Sequence, residues 1–352
     1  MNNFLIFKIL RILKTYVLQI FINIDHEKLE ISKIKKIIKS KKYSTVTIVY
    51  DLKVSPPTIG DFLSVVMLCR YFSCYSFKVN FLILNDILRD DWQILNNEEE
   101  SKFILQLESI YYDIQNNNKS TLCICTSETD MKQYVEIENV YVPYKKLCVN
   151  RIPIYTKSFN LLNLLLASES TIFLNNFLLS KETFQLKCIF NVPKIPYITW
   201  HLRYNAKWGV DRNINKTTFY KIYNSLKNLY NGYKIIIISD KVGCLHVKNF
   251  LSDDIHDISF SIDFSEGFIQ SAHLILNSSF YFQYRGGGIG MIPVYSNTPY
   301  IIIDTMAYEK MWSLLRFTSW ANPKQKRFLS IDYINYIFKP FYPKIRNISN
   351  LN

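Results

Sequence analysis

One stretch restricts the possible folds more than any other: residues 279–304, Ser-Phe-Tyr-Phe-Gln-Tyr-Arg-Gly-Gly-Gly-Ile-Gly-Met-Ile-Pro-Val-Tyr-Ser-Asn-Thr-Pro-Tyr-Ile-Ile-Ile-Asp. An apolar run ends at Tyr284 and Arg285, four glycines follow, and a second apolar run opens after Pro299. Strand, glycine loop, short helix, strand is the crossover of a parallel sheet. The chain holds only nine glycines, and five of them lie between Gly267 and Gly290. Gly286, Gly287, Gly288 and Gly290 remove Cβ atoms where a ligand could approach the backbone, and free N–H groups at a helix start suit a phosphate. A tight turn packing helix on strand would need the same glycines. On the glycines alone the two readings stand level.

The rest of the chain repeats this grammar twice. In the first half, strands are expected at 44–50, 78–84 and 122–126. Helices are expected from 58 onward, at 98–115 and at 159–167, with 141–153 irregular. Thr58 is placed as an N-cap and Asp61 in the helix's first turn, where a carboxylate suits the dipole. The alternation restarts after the prolines near 193–196. Strands follow at 197–202, 234–239, 255–260, 280–282 and 300–303, with helices at 216–229, 243–251, 266–276, 306–320 and 331–338. Two βαβ series imply an α/β protein with two Rossmann-like domains, 43–190 and 191–352, facing each other across a ligand cleft. A basic amphipathic helical segment, 1–42, precedes them.

Composition sets the partners. The formal net charge is +13, with a bias towards Ile, Asn, Lys, Tyr and Phe. Such a charge suits nucleic acid, anionic membrane or phosphate-bearing ligands. No nucleic-acid motif and no zinc-finger spacing accompanies it, so nucleic acid is the weakest of these. Seven cysteines without a C-x-x-C pair read as free thiols in a reducing cytosol. The apolar runs in 1–24 are too short to span a bilayer. With Lys33, Lys35, Lys36, Lys39, Lys41 and Lys42 punctuating the isoleucines, the segment points to the anionic inner face of the membrane. The alternative is a helix packed on its domain with a solvated lysine face.

Chemistry concentrates in the second half. Strand 197–202 ends in Thr199-Trp200-His201-Leu202-Arg203, with His201 and Arg203 on one face. An arginine at a strand's carboxyl end can fork onto a phosphate. An isolated H-x-R is more often a surface arginine beside a half-buried histidine. Here, however, it is followed by a helix, a strand ending in Ser239-Asp240, and a strand entering a glycine loop. This order resembles the fucosyltransferase-like group of GT-B glycosyltransferases. The resemblance covers roughly 195–304. It implies that Arg203 engages the diphosphate of a nucleotide sugar, a GDP-sugar first among candidates. It places Asp240 on the acidic residue ending the next strand, and Tyr284, Arg285, Gly286, Gly287, Gly288 and Gly290 on the donor-cradling loop. Tyr204 stands where a second arginine is common, and the loop lacks the usual serine. In the first half, Pro57-Thr58-Ile59-Gly60-Asp61 resembles the Gly-Asp turn of heptosyltransferase-type GT-B enzymes. That likeness implies Gly60 on the acceptor side and Asp61 as base. A plain helix-dipole carboxylate explains Asp61 equally well.

Absences narrow the mechanism. The sequence has no Asp-x-Asp, no ligand-spaced histidines, no G-x-S-x-G and no P-loop. A residue eight after Glu266 is Leu274, so the Glu-x7-Glu of retaining GT-B enzymes is missing. The expectation is a metal-independent, inverting glycosyltransferase of hexosyl or fucosyl type without a cofactor. It would act on a nucleotide sugar and a surface-glycan acceptor at the cytoplasmic membrane face. Asp61 is the expected base, with His201 and Glu266 as the other candidates. A non-catalytic sugar-nucleotide or glycan binder is the next reading, and an NAD-dependent dehydrogenase the last. For the dehydrogenase, Met291 stands where G-x-G-x-x-G needs glycine. Trp200, Trp208, Tyr284 and Trp312 could stack on a base, though such residues more often fill cores.

Overall fold

A computed structural model describes residues 31–40, 44–51, 59–84, 97–115, 120–125, 140–141, 146–149, 152–155, 162, 165–166, 169–184, 192–204, 210, 213–253, 255–264, 267–285, 287–303 and 325–328. The chain divides into two compact units, Met1–Phe177 and Leu178–Asn352. Each is an α/β body built on a parallel sheet.

The first described element of the first unit is helix α1 (31–40), whose lysines 33, 35, 36 and 39 are exposed while Ile34 is buried. Strand β1 (Thr45–Asp51) leads to α2 (Ile59–Cys74), β2 (Lys78–Leu84), α3 (Asn97–Gln115), β3 (Ser120–Cys125) and the short β4 (Val140–Tyr141). The strands pair in parallel in the order β3-β2-β1-β4. Every residue from Phe62 to Cys69 is buried, so α2 is a core helix with no polar stripe there. Tyr50, Phe62, Phe81 and Tyr111 form an aromatic column joining β1, α2, β2 and α3. Arg70 of α2 donates to the carbonyls of Ile114, Phe177 and Asn176, at the carboxyl ends of α3 and of α4 (Thr171–Phe177). One half-buried guanidinium thus satisfies acceptors that the two helices cannot satisfy internally.

Two expectations need correction in this unit. Within 141–153, expected to be irregular, lies most of an antiparallel hairpin, β5 (Lys146–Val149) with β6 (Ile152–Tyr155), and Tyr141 lies in β4. Pro153 argues against a strand only where its missing N–H would face a neighbouring strand. A two-stranded ladder is all edge and accommodates it. Helix α4 was not expected, although Ser170 caps it by accepting from the Phe173 N–H at 3.2 Å.

The second unit contains β7 (Tyr197–Leu202), α5 (Lys216–Leu229), β8 (Lys234–Ile238), α6 (Lys241–Lys248), β9 (Ile258–Phe260), α7 (Phe268–Asn277), β10 (Phe280–Tyr284), α8 (Met291–Val294), β11 (Tyr300–Ile303) and β12 (Gln325–Phe328). Its six parallel strands run β9-β8-β7-β10-β11-β12, the doubly wound order in which the chain moves outward one way from β7 and then returns to build the other way. β7 is buried at every residue. On one face Trp200 stacks on Phe219 of α5 at 4.9 Å. On the other, the Tyr197 hydroxyl donates to the Leu274 carbonyl of α7, and Thr199 pairs with Ser278. Leu178 and Leu179 are buried, and the Leu179 N–H donates to the Tyr295 carbonyl, tying 178–184 to this unit. Strand β12 was not anticipated. Gln-Lys-Arg-Phe carries no β signature, and among the described residues β12 pairs only with β11, at the edge of the sheet. The helices expected at 306–320 and 331–338 lie outside the described residues.

Candidate functional site

In a doubly wound sheet the strand order reverses at one point, and loops at the carboxyl ends of the two strands there diverge to leave a crevice. Here those strands are β7 and β10. Their register sets His201 beside Gln283 and Leu202 beside Tyr284. Arg203 and Arg285 therefore leave the sheet next to each other at its carboxyl edge. The glycine loop begins at the same place.

His201 is buried, and its Nδ1 has no hydrogen-bond partner. Burial, and secondarily the positive charge of Arg203, push its pKa down to about 3. At neutral pH it is an uncharged imidazole, suited to hydrogen bonding rather than to proton uptake. Gly287, at φ +139°, packs on this ring. A Cβ there would overlap Cε1 and stand 2.9 Å from each ring nitrogen. Gly290 repeats the contact on Gln283, where a Cβ would overlap Oε1 and lie 3.2 Å from Nε2. Two of the loop's glycines thus have a packing reason: the loop descends onto the two polar side chains of the central strands. Arg285 adopts φ +61°, rare for a residue with a Cβ, and its guanidinium lies 5.1 Å from the Tyr284 ring centroid. The Tyr284 ring itself belongs to the apolar core, as does Trp200. Gly288 and Gly290 form a single 3-10 turn leading into α8.

On the β8 side, Asp240 is the N-cap of α6, and its Oδ1 accepts from the Gly243 N–H at 2.6 Å. Tyr204 packs over the same helix start. Its ring lies 4.4 Å from that of His246, and a Cβ on Gly243 would come within 3.0 Å of the Tyr204 Cβ. Tyr204 therefore packs on α6.

In the first unit, Gly60 is buried in the opening turn of α2, and its carbonyl accepts from Ser64 Oγ at 3.0 Å. Asp61 is the third residue of that helix by backbone. The Asp61 side chain, Gly286, Glu266, Trp208 and Trp312 lie outside the described residues. Of the candidates from sequence, the structure brings together His201, Arg203, Arg285, Gly287, Gly288 and Gly290, while the Tyr284 ring faces the core. Gln283 and Tyr281 were missed. The available signal was a glutamine in an otherwise aromatic, fully buried strand, where a polar side chain needs a reason.

Among the described residues, no three His, Cys, Asp or Glu side chains group as metal ligands would, and no helix is long and apolar enough to cross a membrane. A polar cavity of about 410 Å³ opens elsewhere, around the Lys227–Asp257 ion pair where β9 begins. It shares no residue with the crevice between β7 and β10. The crevice, not this cavity, holds the orphaned imidazole and the strained loop, and is the better candidate.

No protein-family model and no curated protein sequence matches the chain. Among solved structures it is similar to the ADP-heptose lipopolysaccharide heptosyltransferase II of Escherichia coli, at 10% identity and a TM-score of 0.43, covering 86% of this chain and 98% of that one. A glycosyl transferase of family 9 from Veillonella parvula gives 8% identity and a TM-score of 0.42, with 86% and 98% covered. The glycotransferase of kitacinnamycin gives 8% and 0.34, with 87% and 96% covered. Similarity of this degree assigns neither substrate nor chemistry.

Proposed function

We propose that the chain is a GT-B glycosyltransferase. It moves a hexosyl or fucosyl-type sugar from a nucleotide-sugar donor to a surface-glycan acceptor of polysaccharide or lipopolysaccharide type. The observation that carries this reading is the meeting of the His201-x-Arg203 strand end with the glycine loop at the reversal point of the second unit's sheet. The sequence resemblance requires these motifs to form one donor site, although the residues between them are numerous.

In this reaction the acceptor hydroxyl attacks the anomeric carbon while the bond from that carbon to the diphosphate oxygen breaks. The hydroxyl proton passes to a base, and the diphosphate leaves with the electron pair. Arg203 and loop N–H groups offset the developing negative charge, and no metal takes part. Asp61 accepts the proton, and the configuration inverts. The exposed lysine face of α1 supports attachment to an anionic membrane surface.

A thermal-shift screen of GDP-, UDP-, ADP- and CMP-sugars tests the donor class directly, because a ligand that binds the folded chain raises its melting temperature. Calorimetry on Arg203→Ala then tests the site. Loss of a charged phosphate contact should cost roughly 1.5–3 kcal/mol of donor binding in a chain that still folds. Unchanged affinity would remove Arg203 from the site. Turnover that survives EDTA is expected, and abolition by EDTA with rescue by Mn²⁺ would overturn the metal-free chemistry. Donor binding without turnover would instead make the chain a sugar-nucleotide binder.

A further inference from the structure

The α7-facing side of the two central strands carries a buried polar stripe: Thr199 and His201 on β7, Tyr281 and Gln283 on β10. Thr199 is satisfied by Ser278. The Tyr281 hydroxyl donates to Gln283 Oε1. In this orientation the carboxamide oxygen is held by Tyr281 and its NH₂ is the end left for another partner. Gln283 and His201 stand side by side at the carboxyl end of the stripe, next to Arg203 and beneath the glycine loop. His201 is more than nine-tenths buried, and its Nδ1 is unpartnered. A buried polar atom without a partner costs stability, and beside the crevice at the carboxyl ends of β7 and β10 it is a group that a bound ligand can satisfy.

The two groups are both uncharged hydrogen-bonding side chains, whereas the neighbouring arginines are cations. A phosphate favours the arginines. A carboxamide and a neutral imidazole match hydroxyl groups, each of which can donate and accept. We infer that Gln283, held in orientation by Tyr281, is a specificity-determining residue that binds hydroxyl groups of the donor's sugar beside the diphosphate held by Arg203. This rests on the glycosyltransferase reading and adds to it the residue that selects the sugar. Tyr281 is a positioning residue, acting through the carboxamide.

The experiment compares two ligands on one protein. Calorimetry measures the best nucleotide sugar from a panel of GDP-mannose, UDP-glucose, ADP-glucose and CMP-N-acetylneuraminate, together with its free nucleoside diphosphate or monophosphate. In Gln283→Leu, affinity for the nucleotide sugar should fall roughly tenfold, one hydrogen bond's worth, while affinity for the free nucleotide stays within twofold. Tyr281→Phe keeps the carboxamide and frees its orientation, so it should show the same split with a smaller loss. It also tests the inference if Gln283→Leu fails to fold. Equal loss for both ligands would make Gln283 a phosphate or base contact and overturn the inference. No loss for either would remove it from the site. If the wild-type chain binds no nucleotide sugar at all, the parent reading fails first, an outcome distinct from both.

Discussion

The α-carbon of Gly287 rests on the imidazole of His201, so closely that a methyl group on that carbon would stand only 2.0 Å from Cε1. One residue ends the first strand of the second unit and the other lies in the loop that follows its fourth. Their contact ties the H-x-R motif to the glycine loop physically.

Gly287→Ala tests that tie. Alanine at φ +139° is strained, and its methyl must displace the His201 ring, so the substitution should cost about 2–4 kcal/mol and weaken donor binding. Gly232→Ala is the control. Gly232 sits at φ +87° with nothing within 4 Å of a Cβ, so it should lose only the conformational cost of roughly 1–2 kcal/mol and leave binding intact. Chemical denaturation and donor titration of both variants read the difference. Equal losses would mean that the His201 contact contributes nothing.

The buried His201 should make stability depend on pH with a defined sign. Its folded pKa of about 3 lies below the ordinary histidine value of about 6.5. Between these values the unfolded chain binds a proton that the folded chain does not. The stability contributed by neutral His201 is therefore fully present above the ordinary value and falls as pH drops, by at most about 1.4 kcal/mol per pH unit. In His201→Gln this component should vanish. The stability difference between wild type and variant should be constant above pH 7 and should shift in favour of the variant towards pH 4. A difference independent of pH would show that the imidazole is not held neutral.

Asp240 has a helix-capping role visible in its bond to Gly243 and a proposed donor-binding role, and two substitutions separate them. Asparagine caps as well as aspartate, whereas alanine does not. Asp240→Asn should keep full stability, and Asp240→Ala should lose about 1 kcal/mol. Donor affinity measured on the stable asparagine variant then reports the charge alone. If it equals wild type, Asp240 is a cap and nothing more.

Asp61→Asn preserves shape and removes the proposed base. Donor binding should persist while transfer falls by roughly 10²–10⁴-fold, the usual yield of general base catalysis. Near-normal turnover would move the role to Glu266, because the neutral His201 is a poor proton acceptor at physiological pH.

Much of the second unit was legible from local chemistry. Tyr197–Leu202, Lys216–Leu229 and Tyr300–Ile303 coincide with the expected elements because each is a strongly patterned run bounded by residues with a definite turn or capping role, such as Asn215, which caps α5, and Gly232. The parallel, two-unit α/β architecture followed from that alternation. What local chemistry left undecided depends on partners distant in the chain. The β5–β6 hairpin and the edge strand β12 exist through backbone pairing, which their side chains do not announce. Asp240 and Tyr204 took packing roles on α6 that motif position did not foretell. For Gly287 and Gly290 the structure adds a packing reason, their contacts with His201 and Gln283, beside the proposed phosphate cradle. Those contacts arise only because β10 returns to pair beside β7. The amino-acid sequence specified which residues could do chemistry. The return of the fourth strand to the centre of the sheet decided which of them meet, since side chains come within reach of one another only when backbone register brings their strands together.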